Sequence, residues 1–383
     1  MLSEEHELVR KTAREFAERY VEPVARRMDR EMYYPREVIR EAGRLGLLAP
    51  TVPAQYGGAG ADLRSAVIIL EEVGRASGGM SLLMEALGIL FLDTLNKYGT
   101  ERQREGVLPK VASGDAVGAF ALSEPCCGSD AAAIETTARR VGGEWSISGR
   151  KMWITNGLYA DYFLLAARTG AKEERHKAIT LFLLRRGPCV ETTPIEVMGV
   201  RGTGTAEVRL EDCRASDDDI VGRLNGGFEA IMRALDIGRT AVAGVGLGIM
   251  RGAYEEALSW AKERELFGRK LAEFEWAQFE LAEIYATIEA AKALTYYSAY
   301  LFDARSPLFL LYTHIAKLMV GRWAVEVARR AAHLEGGFGY SKESKAEMFY
   351  RDARILEIGE GTNEVMKYAL YKFIEKGLPS FQF

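Results

Sequence analysis

Glu207-Val208-Arg209-Leu210-Glu211 alternates charged and apolar side chains with the period of a half-buried strand, whereas Phe228, Ile231, Met232 and Leu235, just beyond Asn225-Gly226-Gly227, recur at helical spacing. This change of period decides the fold, because it separates a β-rich middle from a helical end. Working backward, the stretch from about 117 to 222 holds short alternating runs and apolar runs such as Tyr162-Phe163-Leu164-Leu165 between Gly-rich turns. Before it the pattern is helical, with Val9, Ala13, Phe16, Ala17 and Tyr20 on one face, broken by the turn Pro53-Ala54-Gln55-Tyr56-Gly57-Gly58. Working forward, the helical period persists to about residue 376. The order is therefore α, then β, then α, without the helix-strand interleaving of a doubly wound nucleotide fold.

At 383 residues the chain exceeds the size at which one hydrophobic core stops growing, so two or three domains are expected. Hydrophobic residues make up 48% and charged residues 27%, which excludes pervasive disorder. The formal net charge of -4 provides no field to gather nucleic acid or anionic lipid. Met1-Leu2-Ser3-Glu4-Glu5-His6 is acidic, unlike a signal or transit peptide, so a cytoplasmic location is expected. Apolar runs such as Leu308 to Tyr312 are far shorter than the roughly 20 residues a membrane span needs, and no span is expected. Four cysteines (Cys126, Cys127, Cys189, Cys213) and four histidines form neither a disulfide-framework pattern nor zinc spacing, so no metal is expected. Only four Asn and four Gln occur, the depletion of thermolabile amides expected of a hot-living source.

Neither G-x-G-x-x-G nor a P-loop is present. The nearest imitation, Gly244-Val245-Gly246-Leu247-Gly248, lies within a helical pattern and reads as close helix packing. Five other segments carry usable chemistry. Phe120-Ala121-Leu122-Ser123-Glu124-Pro125-Cys126-Cys127-Gly128-Ser129-Asp130 runs a strand into a loop of amides and hydroxyls that suits a polar or anionic ligand. Gly149-Arg150-Lys151-Met152-Trp153-Ile154-Thr155-Asn156-Gly157 brings an aromatic and a hydroxyl to a strand end. Arg264-Glu265-Leu266-Phe267-Gly268 and Gly336-Gly337-Phe338-Gly339-Tyr340 read as helix ends, the paired glycines permitting close backbone approach. In Arg351-Asp352-Ala353-Arg354-Ile355-Leu356-Glu357-Ile358-Gly359-Glu360-Gly361-Thr362-Asn363-Glu364, one glutamate stands between two glycines, open to approach from several sides. Taken singly, each has an ordinary reading as a turn, a core tryptophan, a helix end or a helix-start carboxylate.

Together and in this order, the five segments resemble the acyl-CoA dehydrogenase family, whose signatures read A-L-[ST]-E-P-x-x-G-S-D, K-x-W-I-T-N, R-x-x-F-G, G-G-x-G and E-G-T. Val52-Pro53-Ala54-Gln55-Tyr56-Gly57-Gly58 and Gly199-Val200-Arg201-Gly202-Thr203-Gly204-Thr205 add to the match, which covers roughly residues 45 to 370. The resemblance implies an α+β fold with an all-α N-terminal domain (1–116), a central β-barrel or sandwich domain (117–222) and a C-terminal four-helix-bundle domain (223–383), with FAD as cofactor. By similarity Phe120, Leu122, Ser123, Gly128 and Ser129 hold the flavin, and Ser129 also lies near the CoA portion of the substrate. Trp153 and Ile154 flank the ring, and the Thr155 hydroxyl meets flavin N5. Asp236, Arg239 and Gly361 match substrate contacts, and Thr362 and Glu364 match flavin contacts. Arg264, Phe267, Gly336 and Gly337 match segments that reach a neighbouring subunit's flavin, which implies a homodimer or homotetramer.

Glu360 matches the base that takes the α-proton of an acyl-CoA while the β-hydride goes to the flavin, giving a trans-2-enoyl-CoA and passing electrons to an electron-transfer flavoprotein. Some branches carry the base just before the substrate-contacting arginine instead, and that place is Gly238 here. The stretch Ala76 to Asn96, where the family lines its acyl pocket, holds Glu85 and Asp93 but no Lys or Arg, which favours a neutral acyl chain over a dicarboxylyl one. Three departures stand out. Gly359 replaces a frequent aromatic, and Glu275 and His333 occupy places where flavin-contacting glutamines are usual. Cys126-Cys127 fill the two variable loop positions and read as two small residues. The competing readings are an acyl-CoA oxidase that uses oxygen and a non-catalytic binding paralogue.

Overall fold

The computed structural model describes residues 2–377, so Met1 and residues 378–383 of the expected terminal domains lie outside the described residues. Helices come first: α1 (Glu4–Phe16), α2 (Glu22–Glu31), α3 (Arg36–Arg44), α4 (Leu63–Ala76), α5 (Gly78–Glu85), α6 (Thr94–Tyr98) and α7 (Glu101–Ala112). Local chemistry sets their starts. Asp62 caps α4 by accepting from the Ser65 N–H at 2.9 Å, and Ser77 caps α5 through the Met80 N–H at 3.2 Å. A π-helical turn, Ala86–Asp93, joins α5 to α6. The composite helix Gly78–Tyr98 is long and apolar enough to cross a membrane, contrary to the expectation from shorter runs, yet its most apolar window is wholly buried inside the protein. Its hydrophobicity serves the core, where Leu83, Leu87, Phe91 and Leu92 are fully enclosed.

The middle of the chain forms β1 (Gly118–Ala121), β2 (Thr137–Val141), β3 (Glu144–Ile154), β4 (Tyr162–Arg168), β5 (Ile179–Arg185), β6 (Val190–Pro194), β7 (Ala206–Ala215) and β8 (Ile220–Val221). The sheet order is β6-β7-β3-β2-β4-β5-β8, with β1 pairing parallel to β4. Among the described residues β6 and β8 do not pair, so the barrel alternative does not close and the strands form one open sheet. The alternation that reads as a strand at Glu207–Glu211 lies in β7, whose Val208 and Leu210 are buried.

Helices then return as α8 (Gly227–Glu263), α9 (Glu275–Asp303), α10 (Phe309–Leu334), α11 (Lys345–Ala353) and α12 (Asn363–Glu375), with the short hairpin β9 (Glu265–Leu266) and β10 (Arg269–Lys270) between the first two. α8, α9 and α10 pack on one another, α11 and α12 pack on α10, and α4 crosses α8 closely. Glycine makes that crossing possible: a Cβ on Gly248 would sit 2.4 Å from the Glu71 carbonyl and 2.7 Å from Gly74 Cα. The Gly244–Gly248 stretch is thus a packing surface, as its helical context implied.

The cysteines correct the sequence reading. Cys126 and Cys127 are bonded to each other, and Cys189 is bonded to Cys213 across 5.2 Å between Cα atoms. Glu124, Cys126 and Cys127 lie close enough to resemble a metal site, but the two sulfurs share a bond and Glu124 is paired with Lys151.

Candidate functional site

The turn from α11 to α12 carries Glu360. Its φ of 55° lies in the left-handed region, which is costly for a side-chain-bearing residue, and Gly361 follows at φ 104°. Trp153 (φ 63°) and Phe267 (φ 49°) are strained in the same way, so three residues singled out from sequence share a backbone that folding alone disfavours. Arg239 of α8 holds the turn by donating Nε–H to the Glu360 carbonyl at 3.2 Å. The same guanidinium donates to Asp236 at 2.7 Å and meets His314 Nε2 at 3.2 Å. His314 Nδ1 donates to the Leu310 carbonyl at 2.5 Å, which leaves Nε2 as the acceptor for Arg239. From α10, Lys317 donates to the Gly361 carbonyl. Thr362 then caps α12 by accepting from the Val365 N–H at 3.3 Å.

Both carboxylate oxygens of Glu360 are buried, and none receives a donor among the described residues. The same holds for Glu85 at the end of α5, whose carboxyl faces that of Glu360. Burial pushes both carboxyls up, and the charge of Glu360 adds to the rise at Glu85. Two facing carboxylates cannot donate to each other when both are ionised, so one proton held between them satisfies the pair. A Cβ at position 238 would lie 2.4 Å from Glu360 Oε2, so a side chain there and Glu360 in its present place exclude each other. Gly359 is under no such constraint, since a Cβ there would meet Ile355 at ordinary contact distances of 3.4 Å and beyond.

A second group forms around the ends of β1 and β3. The Met152 N–H donates to the Ser123 carbonyl at 2.8 Å, and fully buried Lys151 donates to the Leu122 carbonyl at 3.0 Å and to Glu124 at 2.8 Å. Glu124 in turn accepts from the Glu135 and Thr136 N–H groups at 2.6 and 3.0 Å, and the Lys151 ammonium is among the causes that draw its carboxyl below the usual range despite burial. This clamp holds the Phe120–Ser129 loop beside Trp153, Ile154 and Thr155. Trp153 is 60% exposed, Ser129 is exposed, and nothing lies within 4 Å of where a Gly128 Cβ would be. An exposed tryptophan on strained backbone, and in the clamped loop a glycine with no packing need to be one, suit a flat ligand that approaches the chain closely. Asn156 links the two groups: its side chain donates to the Leu83 carbonyl of α5 at 3.3 Å, two residues before Glu85.

Arg264, Phe267, Glu275, His333, Gly336 and Gly337 gather elsewhere, at the far end of α8 and the adjoining ends of α9 and α10. Phe267 is 96% exposed, and a Cβ on Gly336 or Gly337 would meet nothing within 4 Å. His333 packs edge-on against Trp276 at 6.0 Å. At about 1.5 Å rise per residue, α8 separates Arg264 from Arg239 by roughly 37 Å. The predicted site residues of one chain therefore form two places, with Glu364 exposed at the start of α12.

Sequence reading missed the partners that shape the site: Glu85 as the neighbour of Glu360, His314 as a partner of Arg239, and Lys317, Lys151 and Glu124 as holders of the site's backbone. Glu124 and Lys151 stood within quoted motifs, and Glu85 stood out as a charge in an apolar run. Lys317 and His314 gave no signal, since their helix also carries Arg322, Glu326, Arg329, Arg330 and His333.

Comparison with known proteins gives three matches to family descriptions: "Acyl-CoA dehydrogenase, N-terminal domain" over residues 3–115, "middle domain" over 119–213 and "C-terminal domain" over 225–374. The short-chain specific acyl-CoA dehydrogenase of Mus musculus mitochondria is 37% identical over 372 residues, 96% of this chain and 90% of that protein. The solved butyryl-CoA dehydrogenase from Megasphaera elsdenii superposes with a TM-score of 0.94 at 31% identity, covering 98% of this chain and 99% of that one. A chain solved in work on the electron transferring flavoprotein of Acidaminococcus fermentans superposes with a TM-score of 0.94 at 34% identity, covering 98% of each chain.

Proposed function

This chain belongs to the acyl-CoA dehydrogenase family of FAD-dependent oxidoreductases, and on that premise we propose that it desaturates a neutral acyl-CoA between the α and β carbons with Glu360 as the base. The observation that carries the reading is the state of Glu360: a buried carboxyl with no donor but the proton it shares with Glu85, on a left-handed turn held by its backbone. A thioester α-hydrogen is a weak acid, so its removal needs a positioned base of raised basicity and a donor for the developing enolate oxygen. Desolvation supplies the basicity. The Glu360 N–H, which donates to no acceptor among the described residues, is free to meet the thioester oxygen. Bound flavin supplies the hydride acceptor. The Phe120–Ser129 loop, Trp153 and Thr155 are the residues that would hold it, and Asp236 and Arg239 lie beside the base where they match substrate contacts.

The roughly 37 Å between Arg264 and Arg239 supports an oligomer in which the Arg264, Phe267, Gly336 and Gly337 group completes a neighbour's site. The acyl-pocket stretch holds no Lys or Arg, and the adjoining Lys97 is spent on Asp93 at 2.6 Å, so this stretch offers no free cation to a dicarboxylyl chain. Electrons would leave through an electron-transfer flavoprotein. The test is an anaerobic titration of the purified yellow protein with butyryl-, octanoyl- and isovaleryl-CoA. Bleaching of the flavin by at least one of them is expected, and a protein without flavin, or one that no thioester bleaches, overturns the reading.

A further inference from the structure

The left-handed pair Glu360-Gly361 is costly, and two buried cations hold its two carbonyls. Arg239 reaches the first from α8 and is itself fixed by Asp236 and His314. Lys317 reaches the second from α10 and is 1% exposed, with no carboxylate in salt-bridge contact among the described residues. An ammonium buried this completely, spent on one backbone carbonyl, costs desolvation that a surface turn would not require.

We propose that Lys317 is a positioning residue for the base: its hydrogen bond to the Gly361 carbonyl, acting with Arg239 on the Glu360 carbonyl, fixes the turn that presents the Glu360 carboxylate. The inference rests on Glu360 being the base. The groups facing this turn are Glu85 from α5, Asp236 and Arg239 from α8, and His314 and Lys317 from α10, with Glu357 and Glu364 flanking it in sequence. Burial draws the His314 imidazole down to about 4, so it stays neutral, and Lys317 and Arg239 are the cations that favour ionised Glu360. Removing one of them raises the pH at which Glu360 ionises.

The experiment compares the wild-type holoprotein with Lys317→Met and Lys317→Arg, using whichever of the three thioesters bleaches the wild type fastest. Flavin content, thermal midpoint, kcat, KM and the acid limb of the bleaching rate against pH are read. Lys317→Met is expected to keep its flavin and its KM within about threefold while kcat falls about 100-fold, as misplacement of a reacting group by about an ångström can cost. Its acid limb is expected to move up by roughly one pH unit, and Lys317→Arg to return the limb toward the wild-type position. An unchanged limb in Lys317→Met, or a loss of kcat that only tracks lost flavin and lowered midpoint, overturns the assignment. Glu360→Gln measured alongside separates the two claims. If it bleaches at the wild-type rate, the base reading falls and the role of Lys317 with it; if it is inactive while Lys317→Met is unaffected, only the role of Lys317 falls.

Discussion

Two pairs of buried glutamates sit in this molecule in opposite states. Glu71 and Glu72 on α4 are 1% and 0% exposed, yet each is met by arginines: Arg251 lies at 2.5 and 2.9 Å, Arg10 at 3.4 and 3.0 Å, and Arg14 at 3.1 Å from Glu72. Burial works against ionisation of Glu72, but the hydrogen bonds and charges of Arg14 and Arg251 outweigh it and hold the carboxyl at about 2. Glu85 and Glu360 are buried as deeply at their carboxyls, receive no donor among the described residues, and are pushed the other way. Burial is common to both, and the presence of donors separates an acid that ties helices together from one poised to accept a proton.

The comparison can be broken in several places. The largest effect is expected for Glu360→Gln, which removes the proposed base and keeps its shape. Bleaching should slow by about a thousand-fold or more, read by rapid mixing without oxygen, while flavin content and thioester binding persist. Next comes Gly238→Ala, whose methyl would stand 2.4 Å from Glu360 Oε2. Displacement of the carboxylate should cost about 100-fold in kcat in a protein that still folds, again by rapid mixing. At the satisfied pair, Arg251→Met strips two carboxylates of a donor and should cost about 3 kcal/mol by chemical unfolding, with the pH profile of bleaching unmoved.

The smallest effect concerns pH and stability, where the two pairs have opposite signs. A carboxyl held low in the fold contributes stability that is present above its unfolded value and lost as pH falls toward its folded one, so acid weakens the Glu72 cluster between about 4 and 2. A carboxyl held high keeps its proton when the unfolded chain would release it, so the Glu85–Glu360 pair loses stability as pH rises above about 4. Glu85→Gln should therefore raise the thermal midpoint by a few degrees at mildly alkaline pH and change it little in acid. A midpoint shift of equal size at both pH values would remove the shared proton from the account.

Much of this was legible in the sequence because it is written locally. The change from alternation at Glu207–Glu211 to helical spacing after Asn225-Gly226-Gly227 appears directly as β7 and α8, and the Gly244–Gly248 stretch is the close crossing its context suggested. Glu360 was visible from its flanking glycines and its E-G-T setting. What was hidden depends on elements meeting from far along the chain. Glu85 and Glu360 are brought face to face only when α5 packs beneath the α11–α12 turn, and Lys317 reads as one polar residue in a helical pattern until its carbonyl partner arrives. The cysteine pairing had no spacing signal, since four cysteines allow three connectivities. Whether the strands close depends on their two edges, which alternation within each strand cannot report.

The most direct test of the central claim, that burial with no donor but the proton shared with Glu85 makes Glu360 the base, is the rate of flavin bleaching by a saturating thioester in the wild-type protein as a function of pH. The account predicts a rate that rises with pH through a limb lying well above the value of ~4.3 for an exposed glutamate, and that disappears in Glu360→Gln. A rate that stays flat from about pH 5 upward, or a limb that survives in Glu360→Gln, would contradict it.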